Sequence, residues 1–282
     1  MQTLRKIILV LLDSRPLKTI YKIILLYLFR EKNIYYVTGL RRSGNHAFIN
    51  WLTNSLENKQ TDLIRDNSYR HFHETSNSET IFFNEVNKIP TVVFFRIIIK
   101  NSASIRSCSN VIISTEDCSA EYSSFKIPRY DKAIFVKRSL LNLIASRLKY
   151  LSKRANDGRS SYWNAIDDDV LSKLLSFYRS AKFYIWDFEQ WLTSENYRKS
   201  FMSKLNLNTA PMPAVSKFGG GSSFTGTNEN PNMSELINRY EQVEFSKKVI
   251  SYLRNDRYRK LLNDQEIDFL LKEASVKANI EK

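Results

Sequence analysis

The sequence predicts a single α/β domain in which a parallel β-sheet is flanked by helices. Short apolar and β-branched runs alternate along the chain with longer segments whose apolar residues recur at helical spacing. This alternation is typical of a parallel sheet that is covered on both faces. The 282 residues include only 7 Gly and 6 Pro, too few for long flexible linkers. We therefore expect one domain over residues 33–282, preceded by basic amphipathic helices over residues 1–32.

Two apolar runs that carry Lys and Arg precede the domain, over residues 1–12 and 17–30. The longest uninterrupted apolar part of the second run, residues 23–29, is far shorter than the roughly 20 residues that a membrane span needs. Residues 13–16 offer no small-residue site for signal-peptide cleavage. The helices therefore either pack on the domain or lie on a membrane surface as basic anchors. We expect a cytoplasmic protein, peripheral at the inner face of the membrane in the second case.

The chain is strongly basic, with a net charge of +14. This charge suits an anionic ligand, an acidic polymer or an anionic membrane surface, and it does not choose among them. The two cysteines, Cys108 and Cys118, form neither a disulfide framework nor a zinc signature. With three histidines and no H-E-x-x-H or C-x-x-C motif, the sequence predicts no metal site.

The first element of the domain is a strand, a loop and a helix over residues 34–52. Residues 34–38 are β-branched or aromatic and predict a buried strand, and two glycines lie in the loop over residues 39–44. Apolar residues then recur at helical spacing. The N–H groups and the dipole of a helix start favour an anion, and Arg41 and Arg42 lie in this loop. The segment therefore predicts an anion-binding turn, with a structural turn and surface arginines as the simpler alternative.

The spacing of the two glycines matches that of a nucleoside triphosphate loop, G-x-x-x-x-G-K-[ST]. After Gly44, however, Asn45 and His46 replace the lysine that contacts the β/γ-phosphates and the hydroxyl residue that binds magnesium. The sequence of this loop therefore does not indicate an enzyme that acts on a nucleoside triphosphate bound to magnesium.

The remaining elements follow in order along the chain. Strands are predicted over residues 80–86, 91–99, 111–114, 133–136 and 183–186, and an irregular or partly helical excursion over residues 57–78. Helices are predicted over residues 48–56, 140–151 and 170–182, up to residue 205, and from residue 233 onwards. Ligands of parallel sheets bind at the carboxyl ends of the strands. Asn84, Glu85, Glu116 and Arg138 follow strand ends, so we expect them on one rim with the loop.

Two motifs resemble those of sulfotransferases that use 3′-phosphoadenylyl sulfate (PAPS). Residues 39–47, Gly-Leu-Arg-Arg-Ser-Gly-Asn-His-Ala, resemble the family's 5′-phosphosulfate loop between the first strand and a helix. Arg138 ends a strand and Ser146 follows eight residues later on a helix, as in the family's 3′-phosphate motif. A Gly-rich loop with Gly220, Gly221 and Ser222 stands where the family has a late loop that closes over the nucleotide. The resemblance spans most of residues 34–226 and implies a P-loop NTPase-like sulfotransferase fold.

The resemblance also implies which residues hold the donor. The 5′ end would be held by Arg41, Arg42, Ser43, Gly44, Asn45, His46 and Ala47, and the 3′-phosphate by Arg138 and Ser146. The family's catalytic lysine is replaced here by Arg42, which can stabilise negative charge but cannot act as an acid. His46 is the candidate proton donor, and a histidine bonded to backbone at a helix start is the alternative.

An acceptor hydroxyl needs a general base within hydrogen-bond reach. In the family this base is a His or Glu just after the second core strand, which makes Glu85 the first candidate. His71, His73, Glu74 and Glu116 are the alternatives.

The sequence therefore predicts transfer of a sulfuryl group from PAPS to a hydroxyl acceptor, a glycan or glycolipid, without a metal ion. The carbohydrate acceptor is inferred from the breadth of the family and from the polar, basic excursion at residues 57–78. One alternative is a P-loop, kinase-like enzyme that binds nucleotide, which the missing lysine and hydroxyl disfavour. The other is a non-enzymatic basic protein that binds membrane or nucleic acid. No helix-turn-helix, RNP or zinc-finger signature supports nucleic acid as a partner.

Overall fold

The structure is a computed structural model of the chain. It describes residues 15–58, 63–65, 72–75, 79–122, 130–156, 166–213 and 236–279. The predicted helix over residues 1–12 and the Gly-rich loop with Gly220, Gly221 and Ser222 lie outside the described residues.

The described residues form a seven-stranded sheet in the order β2-β3-β4-β5-β1-β6-β7. The strands are β1 (Asn33–Gly39), β2 (Leu63–Arg65), β3 (Phe72–Thr75), β4 (Thr80–Phe83), β5 (Asn110–Glu116), β6 (Lys132–Lys137) and β7 (Tyr184–Asp187). Neighbouring strands from β4 to β7 pair in parallel, and β3 pairs antiparallel with both β2 and β4. The predicted α/β architecture is therefore confirmed, and the sheet is mostly parallel, with antiparallel pairing at β2 and β3 that was not predicted.

The helices of the first half of the chain are α1 (Arg15–Leu28), α2 (Asn45–Glu57), α3 (Thr91–Lys100), α4 (Ser102–Ser107) and α5 (Leu140–Asn156). Those of the second half are α6 (Asp168–Arg179), α7 (Phe188–Thr193), α8 (Glu195–Lys204), α9 (Lys247–Leu253), α10 (Asp256–Arg259) and α11 (Asp264–Asn279). Among the described residues, no helix combines the length and the apolar composition that crossing a bilayer requires.

Helices pack on both faces of the sheet, because side chains along a strand alternate between the two faces. On one face, Ile34, Ile81 and Ile113 pack with apolar residues of α1, α3 and α4. On the other, Val37 and Ile112 pack with α2 and α8. A third apolar cluster joins β6 to α5, α6 and the C-terminal helices. The central strands are thus buried on both sides, which explains their continuous apolar runs.

The strand predicted over residues 91–99 is wrong, since these residues form α3. Phe94, Ile97 and Ile98 are buried at helical spacing, whereas Val93 and Ile99 are exposed. The exposed side of this helix also carries apolar residues, and this concealed the helical period in the sequence.

Residues 57–78 also differ from the prediction, because their described parts include two antiparallel strands, β2 and β3, and no helix beyond the end of α2. The other predicted strands are confirmed as β4, β5, β6 and β7, although β4 ends at Phe83. The helix predicted up to residue 205 is two helices, α7 and α8. They are separated at Ser194, whose side chain caps α8 by accepting a hydrogen bond from the Tyr197 N–H.

Candidate anion-binding site

Three parallel strands end side by side at the loop that follows β1. In the sheet register, Gly39 at the end of β1 lies opposite Glu116 of β5 and Val136 of β6. Residues that follow these strand ends are therefore brought to one edge of the sheet. The predicted common rim of the loop, Glu116 and Arg138 is present in the structure.

The loop between β1 and α2 has two residues with left-handed backbone. Arg42 has φ 76° and Gly44 has φ 107°. Gly44 is also the N-cap of α2, and as a glycine it has no side chain with which to cap the helix. The first turn of a helix carries N–H groups without intrahelical acceptors and a partial positive charge. This start of α2, which begins at a glycine, is therefore suited to an anion.

Ser43 and Asn45 hold the loop in shape. The Ser43 hydroxyl donates to Asn45 Oδ1 at 3.2 Å, and Asn45 Nδ2 donates to Glu116 Oε1 at 3.2 Å. A Cβ atom on Gly39 would lie 2.3 Å from Asn45 Oδ1 and 2.6 Å from Ser43 Oγ, so this close packing requires glycine. Both polar side chains are buried and engaged within the protein. These two residues can therefore contact an anion only through their main-chain N–H groups.

Arg41 anchors the loop to the end of β5. Its main-chain N–H donates to Asp117 Oδ1 at 2.9 Å, and its Nε lies 3.6 Å from Glu116 Oε2 and 3.7 Å from Asp117 Oδ2. Arg147 of α5 approaches the same carboxylate, with Nη1 3.4 Å from Asp117 Oδ1. Arg41 and Arg147 are thus balanced by two acidic residues.

Arg138 connects the loop to the end of β6. Its Nη1 donates to the main-chain carbonyl of Arg42 at 3.0 Å. Its guanidinium lies over the Phe188 ring, 4.7 Å from the centroid, and its Nε is 3.8 Å from Glu189 Oε1. The Arg138 side chain is buried. This buried arginine therefore places a positive charge next to the loop.

Arg42 and Arg239 complete a cluster of three arginines with Arg138. Burial lowers the pKa of Arg138 to about 10, with Glu189 opposing the shift and Arg42 adding to it. Burial and the positive charges of Arg138 and Arg42 lower the pKa of Arg239 to about 8. Guanidinium groups keep their proton at neutral pH, so these buried side chains remain positively charged. The charge of Glu189 opposes the pKa shifts of both Arg138 and Arg239, and Glu116 acts in the same way on Arg42.

Glu85 belongs to a network at the rim that reaches the loop. Lys88 Nζ donates to Glu85 Oε1 at 2.8 Å and to Glu116 Oε2 at 3.2 Å. Burial raises the pKa of Glu85, but its hydrogen bonds with Glu116 and Lys88 and the charges of Lys88 and Arg41 outweigh burial and lower the pKa overall. Glu85 is therefore ionised at neutral pH and can accept a proton. The network also includes Asn84, whose Oδ1 accepts from the Ser114 hydroxyl at 3.2 Å.

His46 lies in the first turn of α2. Burial lowers its pKa, and the charges of Arg42 and Lys88 add to this effect against the opposing charge of Glu116. The imidazole is therefore neutral at neutral pH and carries one N–H. Ala47, the next residue, packs against the apolar cluster under the helix.

Ser146 lies on α5 and is fully buried, as is its neighbour Arg147. Because Ser146 has no exposed surface, its hydroxyl does not face solvent at the rim. Its predicted contact with the 3′-phosphate would require the surrounding side chains to move.

Two of the alternative bases lie away from the rim. His73 is buried in the middle of β3 and stacks on Phe82, with ring centroids 5.5 Å apart. Glu74 pairs with Ile81, further from the carboxyl ends of the parallel strands. His71 lies outside the described residues. Of the alternatives, Glu116 is therefore the one that the structure places in the site.

Sequence reasoning missed three residues of the site: Lys88, Glu189 and Arg239. Lys88 follows Glu85 by three residues. The short 3-10 helix Val86–Lys88 brings these two side chains together. Glu189 lies two residues after the end of β7, in the first turn of α7, and its position near a strand end could have identified it. Arg239 lies in a charged C-terminal segment, and no sequence pattern distinguishes it from its neighbours.

Comparison of the chain with protein-family models, curated proteins and solved structures found no significant match. Any functional conclusion therefore depends on the residues and geometry of the site itself.

Proposed function

We propose that the protein is a sulfotransferase that binds PAPS at this rim and transfers its sulfuryl group to a hydroxyl acceptor, a glycan or glycolipid. The observation that carries the proposal is the hydrogen bond from Arg138 to the Arg42 carbonyl. This contact joins an anion-binding helix start to a second, buried positive group at the neighbouring strand end. A donor with phosphate groups at both ends of one nucleoside matches two such positive sites.

Each end of the donor has its own group of residues in this proposal. The start of α2 and the Arg42 guanidinium bind the 5′-phosphosulfate, because main-chain N–H groups and a guanidinium both favour phosphate oxygens. Arg138 and Arg239 bind the 3′-phosphate through their guanidinium groups, and the side chains that bury them move to admit it. The proposal also includes the fold that the two sequence motifs imply, a P-loop NTPase-like sulfotransferase domain.

Sulfuryl transfer needs in-line geometry and stabilisation of negative charge on the leaving group. A bond forms between the acceptor oxygen and sulfur as the bond between sulfur and the phosphate oxygen of the donor breaks. The acceptor proton passes to the Glu85 carboxylate, and adenosine 3′,5′-bisphosphate leaves. Arg42 stabilises the charge on its phosphate, and the neutral His46 N–H can donate a hydrogen bond to the bridging oxygen. No metal ion takes part.

Thermal-shift titration tests donor binding. Adenosine 3′,5′-bisphosphate should raise the unfolding temperature more than AMP at equal concentration, because a ligand that binds only the folded state stabilises it by mass action. Arg138→Ala should abolish this difference, and Arg254→Ala, a change of an exposed arginine in the C-terminal segment, should retain it. Equal stabilisation by AMP and the bisphosphate would contradict the proposed 3′-phosphate site.

The same titration addresses the alternative of a kinase-like enzyme. Magnesium-ATP should stabilise the protein no more than ATP without magnesium, since Asn45 and His46 stand where a triphosphate loop has its lysine and hydroxyl. Stabilisation that requires magnesium would favour the kinase-like enzyme instead. Transfer is then measured with labelled PAPS and a panel of glycan and glycolipid acceptors.

A further inference from the structure

Helices α1 and α3 carry an exposed apolar surface that the proposed transfer reaction does not use. Ile23, Leu26 and Tyr27 of α1 are 59%, 41% and 72% exposed. On α3, Val93 and Ile99 are 40% and 51% exposed. These five residues are half of the large hydrophobic side chains that are exposed among the described residues. Such a concentration on two helices is typical of a binding surface, whereas single exposed apolar residues are ordinary.

Both helices cover the same part of the sheet. Leu25 and Leu28 of α1 belong to one apolar cluster with Phe94, Ile97 and Ile98 of α3. Each helix therefore has an inner apolar side that packs on the sheet and an outer side that is also partly apolar. The outer sides do not contribute to the core, so stability of the fold does not explain their composition.

Apart from Glu31, the exposed charges on and directly after these helices are positive. Lys22, Arg30, Arg96, Lys100 and Arg106 are exposed on or directly after α1, α3 and α4. The sequences of the three helices contain no Asp or Glu. Glu31 is an exposed acidic residue just beyond α1. A surface that mixes aliphatic residues, a tyrosine and basic residues is complementary to anionic phospholipid headgroups and the acyl region beneath them.

We propose that the outer faces of α1 and α3 bind the surface of an anionic phospholipid membrane. Ile23, Tyr27 and Ile99 enter the boundary between headgroups and acyl chains, and Lys22 and Arg96 contact the phosphates. The protein lies on the membrane and does not span it. This inference is independent of the donor site and would hold for another catalytic function.

Co-sedimentation of the full chain with vesicles tests the proposal. The protein should sediment with vesicles that contain phosphatidylserine, and much less with pure phosphatidylcholine vesicles. Raised salt should weaken the binding, because the attraction is partly electrostatic. Failure to sediment with the phosphatidylserine vesicles overturns the proposal.

Matched variants assign the binding to this face. The triple variant Ile23→Ser, Tyr27→Ser, Ile99→Ser should lose at least tenfold in vesicle affinity. A control with three exposed apolar residues elsewhere, Tyr130→Ser, Met212→Ser, Leu271→Ser, should bind as the unmodified protein does. All changed side chains are exposed, so unfolding temperatures should change little. Equal losses in the two triple variants, or no loss in the first, overturn the assignment.

A second pair of variants tests how much the basic residues contribute to vesicle binding. Lys22→Gln with Arg96→Gln should lower affinity for phosphatidylserine vesicles by about 25-fold, since each basic residue near an anionic surface contributes roughly fivefold. Arg254→Gln with Arg259→Gln, which removes two exposed charges from the C-terminal segment, should have little effect. If the two double variants lose affinity equally, net charge alone explains the binding and the proposed face is wrong.

Discussion

The Arg138 guanidinium donates a hydrogen bond to the main-chain carbonyl of Arg42, although 96 residues separate the two. The contact fixes the end of β6 against the loop after β1. Arg42 has a left-handed backbone, and its carbonyl accepts this hydrogen bond in that conformation. The loop conformation and the buried positive charge therefore depend on each other.

Arg138→Lys should weaken binding of adenosine 3′,5′-bisphosphate by about 10- to 100-fold, because a hydrogen bond to a charged group contributes about 1.5–3 kcal/mol. Lysine keeps the charge but loses the planar fork that can contact the Arg42 carbonyl and a phosphate together. AMP affinity should change much less. Isothermal titration with both ligands measures the difference, and an equal loss for the two would indicate that Arg138 acts only through the loop.

Gly44→Ala should disrupt the loop for two separate reasons. The new Cβ would lie 2.7 Å from Phe188 Cδ2, and the φ of 107° is unfavourable for alanine. Backbone strain of this kind costs about 1–3 kcal/mol. The free energy of unfolding, measured with urea, should fall by at least this amount. Gly44→Ala in a Phe188→Ala background should be less damaging, because the clash is removed and only the backbone strain remains. Equal destabilisation in both backgrounds would show that the ring contact is unimportant.

Glu85→Gln should lower turnover about 10²- to 10⁴-fold, the usual contribution of a general base, and should leave bisphosphate affinity nearly unchanged. Because its folded-state pKa is lowered, Glu85 stays ionised as pH falls from neutral, and turnover should decline only below the ordinary pKa of a glutamate. The rate measured against pH in both proteins checks this. Unchanged turnover in Glu85→Gln, with activity abolished by His71→Ala or His73→Ala, would transfer the role to a histidine.

The sequence predicted best those parts of the molecule whose pattern is local. The loop around Gly44 and the strand end at Arg138 could be found because residue type and spacing carry the signal there. The helix Thr91–Lys100 was missed because apolar residues also lie on its outer face, which weakens the contrast that reveals a helical period.

The partners in the site are set by tertiary packing, which sequence spacing does not show. Glu189 and Arg239 reach the cluster from α7 and from the C-terminal segment, and both lie far along the chain from Arg42. Likewise, the burial of Ser146 depends on what packs around α5. The sequence motif was therefore enough to locate the candidate site, but the structure was needed to show which charged residues surround it.

The buried carboxylate of Glu266 caps the start of α5. Its Oε1 accepts from the Leu141 N–H at 2.6 Å, and its Oε2 accepts from the Asn263 N–H at 3.1 Å. Burial, with the nearby charge of Glu189, raises its pKa to about 7, against the two main-chain hydrogen bonds that lower it.

This raised pKa makes the stability of the fold depend on pH. Between the ordinary pKa of a glutamate and about 7, the folded protein holds a proton that the unfolded chain has lost. Glu266 should therefore stabilise the fold most at low pH, and that contribution should be lost as pH rises to neutral, with a slope of at most about 1.4 kcal/mol per pH unit. Urea unfolding of Glu266→Gln should show a flatter pH dependence, since glutamine does not titrate, whereas the exposed change Glu241→Gln should leave the slope as it is. A Glu266→Gln protein that keeps the full slope would show that another group titrates in this range.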